Sequence, residues 1–430
     1  MEANPPEGSA APRPADRPAA GLFITDLDGT LLGPDRTVSA PDRRALLELG
    51  EAGVARGRIA LLRALVEGRL AWEAGLEGPL FDCLLCGACT AHCFPAVPTA
   101  ELLVKARSLY LARVGRKAAH RLLFERLLPY PRRLRRAARA AALGKRSGVS
   151  RLAAALGLLR AFGRDFERAE GIVPAIPRRA FREEHPAGEY AGAGSGGTIA
   201  YFVGCGVDLL QPEVGCATLA LLRKAGRRVL VVENNCCGLP AWSAGDLATA
   251  RKLAAANLAR LEDSAAGRVV TDCSSCASFL RSYPRLFPPP DPRHEAARRL
   301  AAKTWDLAPF LFAGEVAPAE DLRGRQITFH DPCHAVRGLG VRREPRELLA
   351  RLRGAVFVEL PEADACCGGA GAYALSHYDL AMRVLARKME NVKRTGADLL
   401  VTTCPACRIQ LAYGVRRAGL KVEEIGRAHV

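Results

Sequence analysis

The 430-residue sequence has no apolar run approaching the roughly 18–20 residues that cross a bilayer. Residues 1–20 are rich in Pro, Ala and Gly and lack the apolar stretch of a secretory signal. Its 15 cysteines are too sparse for a disulfide scaffold, where Cys exceeds roughly 8–10% of a short chain. The count is also odd, so internal pairing would leave one thiol over. These absences exclude a membrane-spanning protein and a secreted disulfide protein. They lead us to expect a cytoplasmic chain whose clustered thiols serve metal or redox chemistry. At about 150 residues per domain, the length allows two or three domains.

Charge of one sign is scarce in the middle of the chain. Between Glu101 and Tyr190 there are 21 Lys and Arg against 8 Asp and Glu, within a formal total of +17. Arg132, Arg133, Arg135, Arg136 and Arg139 are the densest group. No aromatic stacking pattern accompanies them, which argues against a nucleic-acid partner. The segment reads either as a solvated helix face or as a docking face for an acidic partner or anionic lipid, at the inner surface of the cell membrane. Flavin and nucleotide loops are lacking too, because the glycine run Gly368–Gly371 belongs to a cysteine motif.

The layout follows from composition and periodicity. Residues 1–20 form a disordered leader, and 21–54 a strand, turn and helix. Residues 55–100 carry a tight cysteine cluster, and 101–197 a basic, Ala/Leu/Arg-rich helical region with a linker. Short apolar strands and longer helices alternate afterwards, the pattern of a parallel α/β sheet. This part repeats, with 198–315 and 316–430 as two copies of one module. Cys205, Cys236-Cys237, Cys273 and Cys276 of the first answer Cys333, Cys366-Cys367, Cys404 and Cys407 of the second. The fold class expected is thus a duplicated α/β module preceded by a small, mainly helical ferredoxin-like segment.

Three cysteine constellations carry chemistry. Cys83, Cys86, Cys89 and Cys93, followed by Phe94-Pro95, have the spacing of a bacterial-ferredoxin [4Fe–4S] loop. Thiolates two residues apart on a tight loop can each reach a different iron of one cubane. A zinc knuckle fits less well, because zinc sites usually separate two Cys-x2-Cys pairs by a longer loop. Two-cluster ferredoxins use the fourth cysteine for the other cluster, and this sequence has one such run. Either Cys93 therefore folds back onto the same cluster, or the site needs an outside ligand.

The other two constellations are the module pentads. In each, a cysteine follows a strand and precedes a helix, so that strand ends and helix N-termini converge on one crevice. Adjacent cysteines reach one ion poorly but can bind different irons of a larger cluster. Gly238 and Gly368 would let the backbone approach closely behind them. A reversible disulfide at the Cys-Cys or Cys-x2-Cys sites is the competing reading. His330 and His334 flank Cys333, where a place beside a cluster and a satisfied structural role both fit. His92 lies inside the ferredoxin-type loop. Cys216 stands outside every motif and suits a small apolar core position.

From about Ala55 onward these residues resemble the iron–sulfur subunit of glycolate oxidase. They are also similar to the lactate-utilisation iron–sulfur proteins and to the Cys-Cys-Gly-bearing subunit of heterodisulfide reductase. Arg56-Gly57-Arg58-Ile59, the Cys83–Cys93 run, both Cys-Cys-Gly modules and His330-Asp-Pro-Cys-His334 carry the likeness. The resemblance implies an oxidoreductase subunit for electron transfer. A separate FAD-containing subunit would oxidise a 2-hydroxyacid such as glycolate or lactate, and this chain would pass electrons toward a quinone or another acceptor. It further implies noncubane [4Fe–4S] clusters, one on Cys205, Cys236, Cys237, Cys273 and Cys276 and one on Cys333, Cys366, Cys367, Cys404 and Cys407. A thiol/disulfide oxidoreductase of the heterodisulfide reductase type is the alternative.

One departure is large. Glycolate-oxidase members carry two ferredoxin-type motifs, and the first is missing here. In its place, Phe23-Ile-Thr-Asp26-Leu-Asp28-Gly-Thr resembles the first motif of the haloacid dehalogenase phosphatases. That likeness implies Asp26 as nucleophile and Asp28 as general acid/base. Later strands bearing the remaining catalytic groups do not follow before Ala55, so a vestigial fragment without phosphatase activity is expected.

Overall fold

The computed structural model describes residues 55–192, 194, 196–262, 264, 266–314 and 322–426. The leader, the phosphatase-like unit with Asp26 and Asp28, and the far C-terminus lie outside the described residues. The chain divides into two compact units after Leu80. In the first, the helix Ala55–Val66 buries Leu61, Ala64 and Leu65 on one stripe. Arg58, buried in the same helix, donates Nε to the Pro79 carbonyl at 3.1 Å, which gives that arginine a structural role.

The second unit opens with helices. They include Thr99–Arg113 and Pro131–Arg146. The latter starts with Pro at its first turn, where the missing N–H costs nothing, and buries Ala142 alone. Beyond them lie two sheets. The first comprises β1 (Gly188–Tyr190), β2 (Gly196–Tyr201), β3 (Arg227–Val231), β4 (Arg268–Thr271) and β5 (Thr304–Asp306), ordered β1-β3-β2-β4-β5. The second comprises β6 (Gln326–His330), β7 (Val356–Phe357), β8 (Leu399–Thr402) and β9 (Glu423–Gly426), ordered β7-β6-β8-β9. Apart from antiparallel β1, every pairing is parallel. Removing β1 leaves the same strand order in both sheets, so the repeat read from cysteine spacing is a repeat of topology.

Apolar runs at 198–203, 228–232, 269–271, 327–330, 356–360 and 399–402 mark six of these nine strands in the sequence, β2, β3, β4, β6, β7 and β8. The other three, β1 (Gly-Glu-Tyr), β5 (Thr-Trp-Asp) and β9 (Glu-Glu-Ile-Gly), carry no apolar run to mark them. The glycine run Ala191–Gly197 is not all linker, because Gly196 already belongs to β2. There it lies against Gly226, whose carbonyl a Cβ on Gly196 would approach to 2.7 Å. No helix among the described residues is long and apolar enough to cross a membrane.

One continuous core runs through both modules. It joins Phe202, Leu253, Phe279 and Tyr283 of the first to Leu385, Met389 and Leu411 of the second. Seven cysteines are members of it. A second core fills the other face of the first sheet around Phe181, Tyr201, Val229 and Leu307.

Each Cys-Cys pair is followed by a glycine with positive φ, +100° at Gly238 and +84° at Gly368. At Gly368 a Cβ would fall 2.6 Å from the Ala381 carbonyl, whereas at Gly371, φ +70°, it would meet open space. Gly371→Ala should therefore cost about 1–2 kcal/mol, the left-handed penalty alone. Gly368→Ala should cost clearly more, because the helix Tyr378–Thr395 must move. Parallel urea unfolding of the two variants checks the order.

Candidate metal centres

The pentads are built by the strand-to-helix turns. Cys273 caps the helix Ser274–Arg281, and its Sγ accepts the Cys276 amide at 3.4 Å. Cys404 occupies the same position before Pro405–Ala418. Cys205 opens the helix Cys205–Leu210, while Cys333 precedes the wide helical turn His334–Leu339. The Cys-Cys pairs lie on the loops after β3 and β7, and Gly368 N–H points at Cys366 Sγ at 3.4 Å. None of the fifteen cysteines is in a disulfide.

Within the first module Cys205 Sγ lies 3.6 Å from Cys236 Sγ. Cys236 contacts Cys237, Cys237 contacts Cys276, and Cys276 contacts Cys273. The second module repeats this path through Cys333, Cys366, Cys367, Cys407 and Cys404. The two paths meet where the Cys273 and Cys404 thiols hydrogen-bond each other. Ten sulfurs thus form one string whose second half mirrors the first.

The modules are held in this relation by their helix starts. The Ser274 amide donates to the Thr403 carbonyl at 3.2 Å, and Gln211 Nε2 donates to the Pro405 carbonyl at 2.9 Å. Ser275 Oγ lies 3.1 Å from His334 Nδ1 and 3.3 Å from Cys404 Sγ. Gly338 packs against Ser278, where a Cβ would come within 2.1 Å of Oγ.

Electrostatics single out three sulfurs. Hydrogen bonds from Cys236 and Cys276 bring Cys237 down to about 5. Those from Cys333 and Cys367 hold Cys366 well below the usual thiol range, and those from Cys273 and Cys407 do the same for Cys404. Burial opposes ionisation at each, so the neighbouring thiols outweigh desolvation there. Negative charge is concentrated where several sulfurs share it, which is the condition for holding cationic iron.

The Cys83–Cys93 loop lies against the second pentad. Burial, then the Cys366 thiolate, pushes Cys86 up to about 11. Arg107, 4% exposed, fixes the loop by donating to the Phe81 and Cys83 carbonyls and to the Ser243 carbonyl, at 3.3, 2.7 and 2.6 Å. Ser243 ends the short helix that follows Cys236-Cys237-Gly238. On the other side Tyr373 donates its hydroxyl to the Asp82 carbonyl at 2.7 Å, and His377 faces the Asp82 carboxylate at 3.5 Å. The loop is therefore pinned directly by the second module and tied to the first through Arg107 and Ser243.

The donor set suits multi-iron groups better than single ions. A tetrahedral zinc site with Zn–S near 2.3 Å draws its sulfurs to about 3.8 Å of one another. Among the described residues, one set of three ligand atoms lies mutually within 4.8 Å, and it comprises His330, Cys367 and Cys407. Elsewhere the sulfurs are strung out in pairs, the arrangement wanted when each meets a different iron.

The two flanking histidines look alike in the sequence, and the structure separates them. His334 is satisfied by Ser275. His330 is 0% exposed, and neither ring nitrogen has a hydrogen-bond partner. Burial, then the Lys388 charge, lowers its imidazole to about 3, so it stands neutral. Cys216 does not occupy the buried core position expected of it. It lies half-exposed on Pro212–Lys224, at the margin of the second core, with Sγ 4.0 Å from Glu184 Oε2. Arg135 is another departure from a purely solvated basic face, because it turns toward Asp208 at 3.9 Å, behind Cys205.

Comparison with known proteins agrees with this geometry. The cysteine-rich CCG domain matches residues 199–281 and 327–412, and the linker region of the glycolate oxidase iron–sulfur subunit matches 115–173. The probable glycolate oxidase iron–sulfur subunit of Bacillus subtilis (strain 168) is 31% identical over 372 residues, 85% of this chain and 84% of that protein. Lactate utilization protein A of the same organism is 33% identical over 236 residues, covering 54% of this chain and 96% of its own. A subunit of the CoM/CoB fumarate reductase of Methanothermobacter marburgensis is 31% identical over 238 residues, 54% of this chain and 45% of that one. The chain belongs to the glycolate oxidase iron–sulfur subunit family, with paired cysteine-rich CCG domains.

Arg107→Ala removes three carbonyl contacts at once. Amide exchange over residues 82–93 should rise at least tenfold in the metal-free protein, while β2, β4, β6 and β8 keep their protection. Unchanged exchange in the loop would show that Tyr373 and His377 hold it unaided.

Proposed function

We propose that this chain is the iron–sulfur electron-transfer subunit of a flavin-dependent dehydrogenase for glycolate or lactate. The observation that carries the reading is the unbroken string of ten thiols with Cys86 lying against one end. Cys83, Cys86, Cys89 and Cys93 would hold a [4Fe–4S] cluster. Cys205, Cys236, Cys237, Cys273 and Cys276 would hold a noncubane [4Fe–4S] group in a domain spanning 198–315. Cys333, Cys366, Cys367, Cys404 and Cys407 would hold another in 316–430. When bound, such groups supply reversible one-electron transfer.

The protein's own residues give that chemistry its order. Cys86 neighbours Cys366 and Cys333, and the Cys404–Cys273 contact joins the second pentad to the first. Buried apolar walls around Cys236, Cys237, Cys276, Cys367 and Cys407 exclude water from the sulfurs. Hydroxyacid oxidation is assigned to an FAD-containing partner chain, and the acceptor is a quinone or a further redox protein. Asp26 and Asp28 take no part.

Anaerobic purification should yield iron and acid-labile sulfide in equal amounts, and an EPR signal on reduction. Cys237→Ser and Cys367→Ser should each lose about a third of the iron, and Cys216→Ser none, given four irons per cluster. Zinc without labile sulfide would contradict the assignment.

The basic segment supports a peripheral site at the inner membrane face. It exposes Leu143, Val149, Leu152, Leu156 and Phe162 beside Arg132, Arg133 and Arg136, a combination suited to anionic lipid headgroups. Changing Arg132, Arg133 and Arg136 together to Glu should abolish sedimentation with phosphatidylglycerol vesicles and leave iron content unchanged. Arg135 is left intact in that variant because of its place beside Asp208.

A second reading rests on a cleft beside the first pentad. It is lined by Cys205, Cys236, Asn234, Arg135 and Arg182, and its cavity of about 20 Å³, room for one water, would have to open before a small disulfide reached the sulfurs. Turnover of a disulfide by the reduced protein without any flavoprotein would establish that heterodisulfide reductase-like activity.

A further inference from the structure

The two modules agree at every thiol position and differ in kind at the buried residue three places before the first of them. Three residues before Cys205 stands Phe202, and three before Cys333 stands His330. Both follow the same strand path. The Phe202 amide donates to Val270 of β4, and His330 pairs with Thr402 of β8. Both are 0% exposed. The Phe202 ring joins the shared apolar core. His330 instead brings two ring nitrogens into the interior, and neither makes a hydrogen bond within the protein. The Ala363 carbonyl is near enough to favour a charged ring, but it is not a partner of ordinary hydrogen-bond geometry.

A buried imidazole without a partner calls for an explanation, since such groups are nearly always satisfied. Its position supplies one. A His330 ring nitrogen and the sulfurs of Cys367 and Cys407 lie mutually within 4.8 Å. The ring therefore faces the part of the second pentad that sits in the core. Neutral imidazole carries one N–H donor, and the sulfurs beside it are acceptors. Phe202 offers the first pentad no such donor. Lys388, 1% exposed, adds positive charge on the same side, held by the Glu362 and Ala363 carbonyls just ahead of Cys366.

We propose that His330 donates a ring N–H to a sulfur of the group held by the second pentad, and so sets that group's reduction potential above that of the first. This rests on reading the pentads as iron–sulfur sites. A hydrogen bond to cluster sulfur stabilises the reduced, more negative state and raises the potential. His330 is in that sense a positioning residue. Together with the Lys388 charge, it makes two sites with the same thiol pattern unequal and favours electrons on the side where Cys86 lies.

The test compares the intact protein with His330→Phe and His330→Gln, all purified anaerobically and assayed for iron and labile sulfide. Redox titration followed by EPR should show one midpoint moving to more negative potential in His330→Phe. It should be largely restored in His330→Gln, which keeps a donor, with iron content equal in all three. Pulsed EPR on wild-type protein labelled with 15N-histidine should show a nitrogen coupling that His330→Phe abolishes and His334→Phe keeps. Equal midpoints and an unchanged coupling at full iron content would overturn the proposal. Loss of about four irons in both His330 variants would also overturn it, making the ring a ligand. Wild-type protein without labile sulfide would instead defeat the iron–sulfur reading itself.

Discussion

The contact between Cys273 and Cys404 is the constraint around which this fold is organised. Each residue ends a central strand path of its own sheet and begins a helix, so the contact fixes both modules at their functional ends. Around it the Ser274–Thr403, Gln211–Pro405 and Ser275–His334 bonds repeat the approach from either side. The shared core then follows, because two sheets that meet at their strand ends can close one apolar interior between them. Burying so many thiols without a cation would crowd negative charge in low dielectric. The pattern of depressed and raised thiols is the electrostatic trace of that crowding. Bound iron would relieve it.

The Cys83–Cys93 loop extends the same logic. It has little structure of its own beyond one short helical turn at Ala88–Ala91. Its conformation is imposed from outside by Arg107, Tyr373 and His377. An arginine that is almost fully buried and spans three carbonyls is a costly device, and it is retained where a loop must be placed to within an ångström of its neighbour. The pinning residues come from different parts of the chain, so the loop registers the correct assembly of both modules.

Much of this was legible in the sequence because thiols are rare and their spacing is informative. The three constellations, the duplication and six of nine strands came from spacing and alternation alone. Relations between distant segments were not legible. Nothing in the two pentads announces that the second is met in reverse order through Cys404, since that depends on how two helices dock. Nothing in the run His330-Asp-Pro-Cys-His334 distinguishes a satisfied histidine from an unsatisfied one. That difference lies in Ser275, fifty-nine residues upstream of His334. By its neighbours Arg135 reads as one member of a solvated basic row, but Asp208 stands behind it. Cys216 reads as core because cysteine usually is, but its helix presents it at the margin.

Locating iron directly tests the central claim. A crystal of anaerobically prepared protein, with data collected at the iron absorption edge, should show two iron groups flanking the Cys273–Cys404 contact and a third beside Cys86. Density for a single ion at His330, Cys367 and Cys407, or a disulfide joining Cys273 to Cys404, would contradict it.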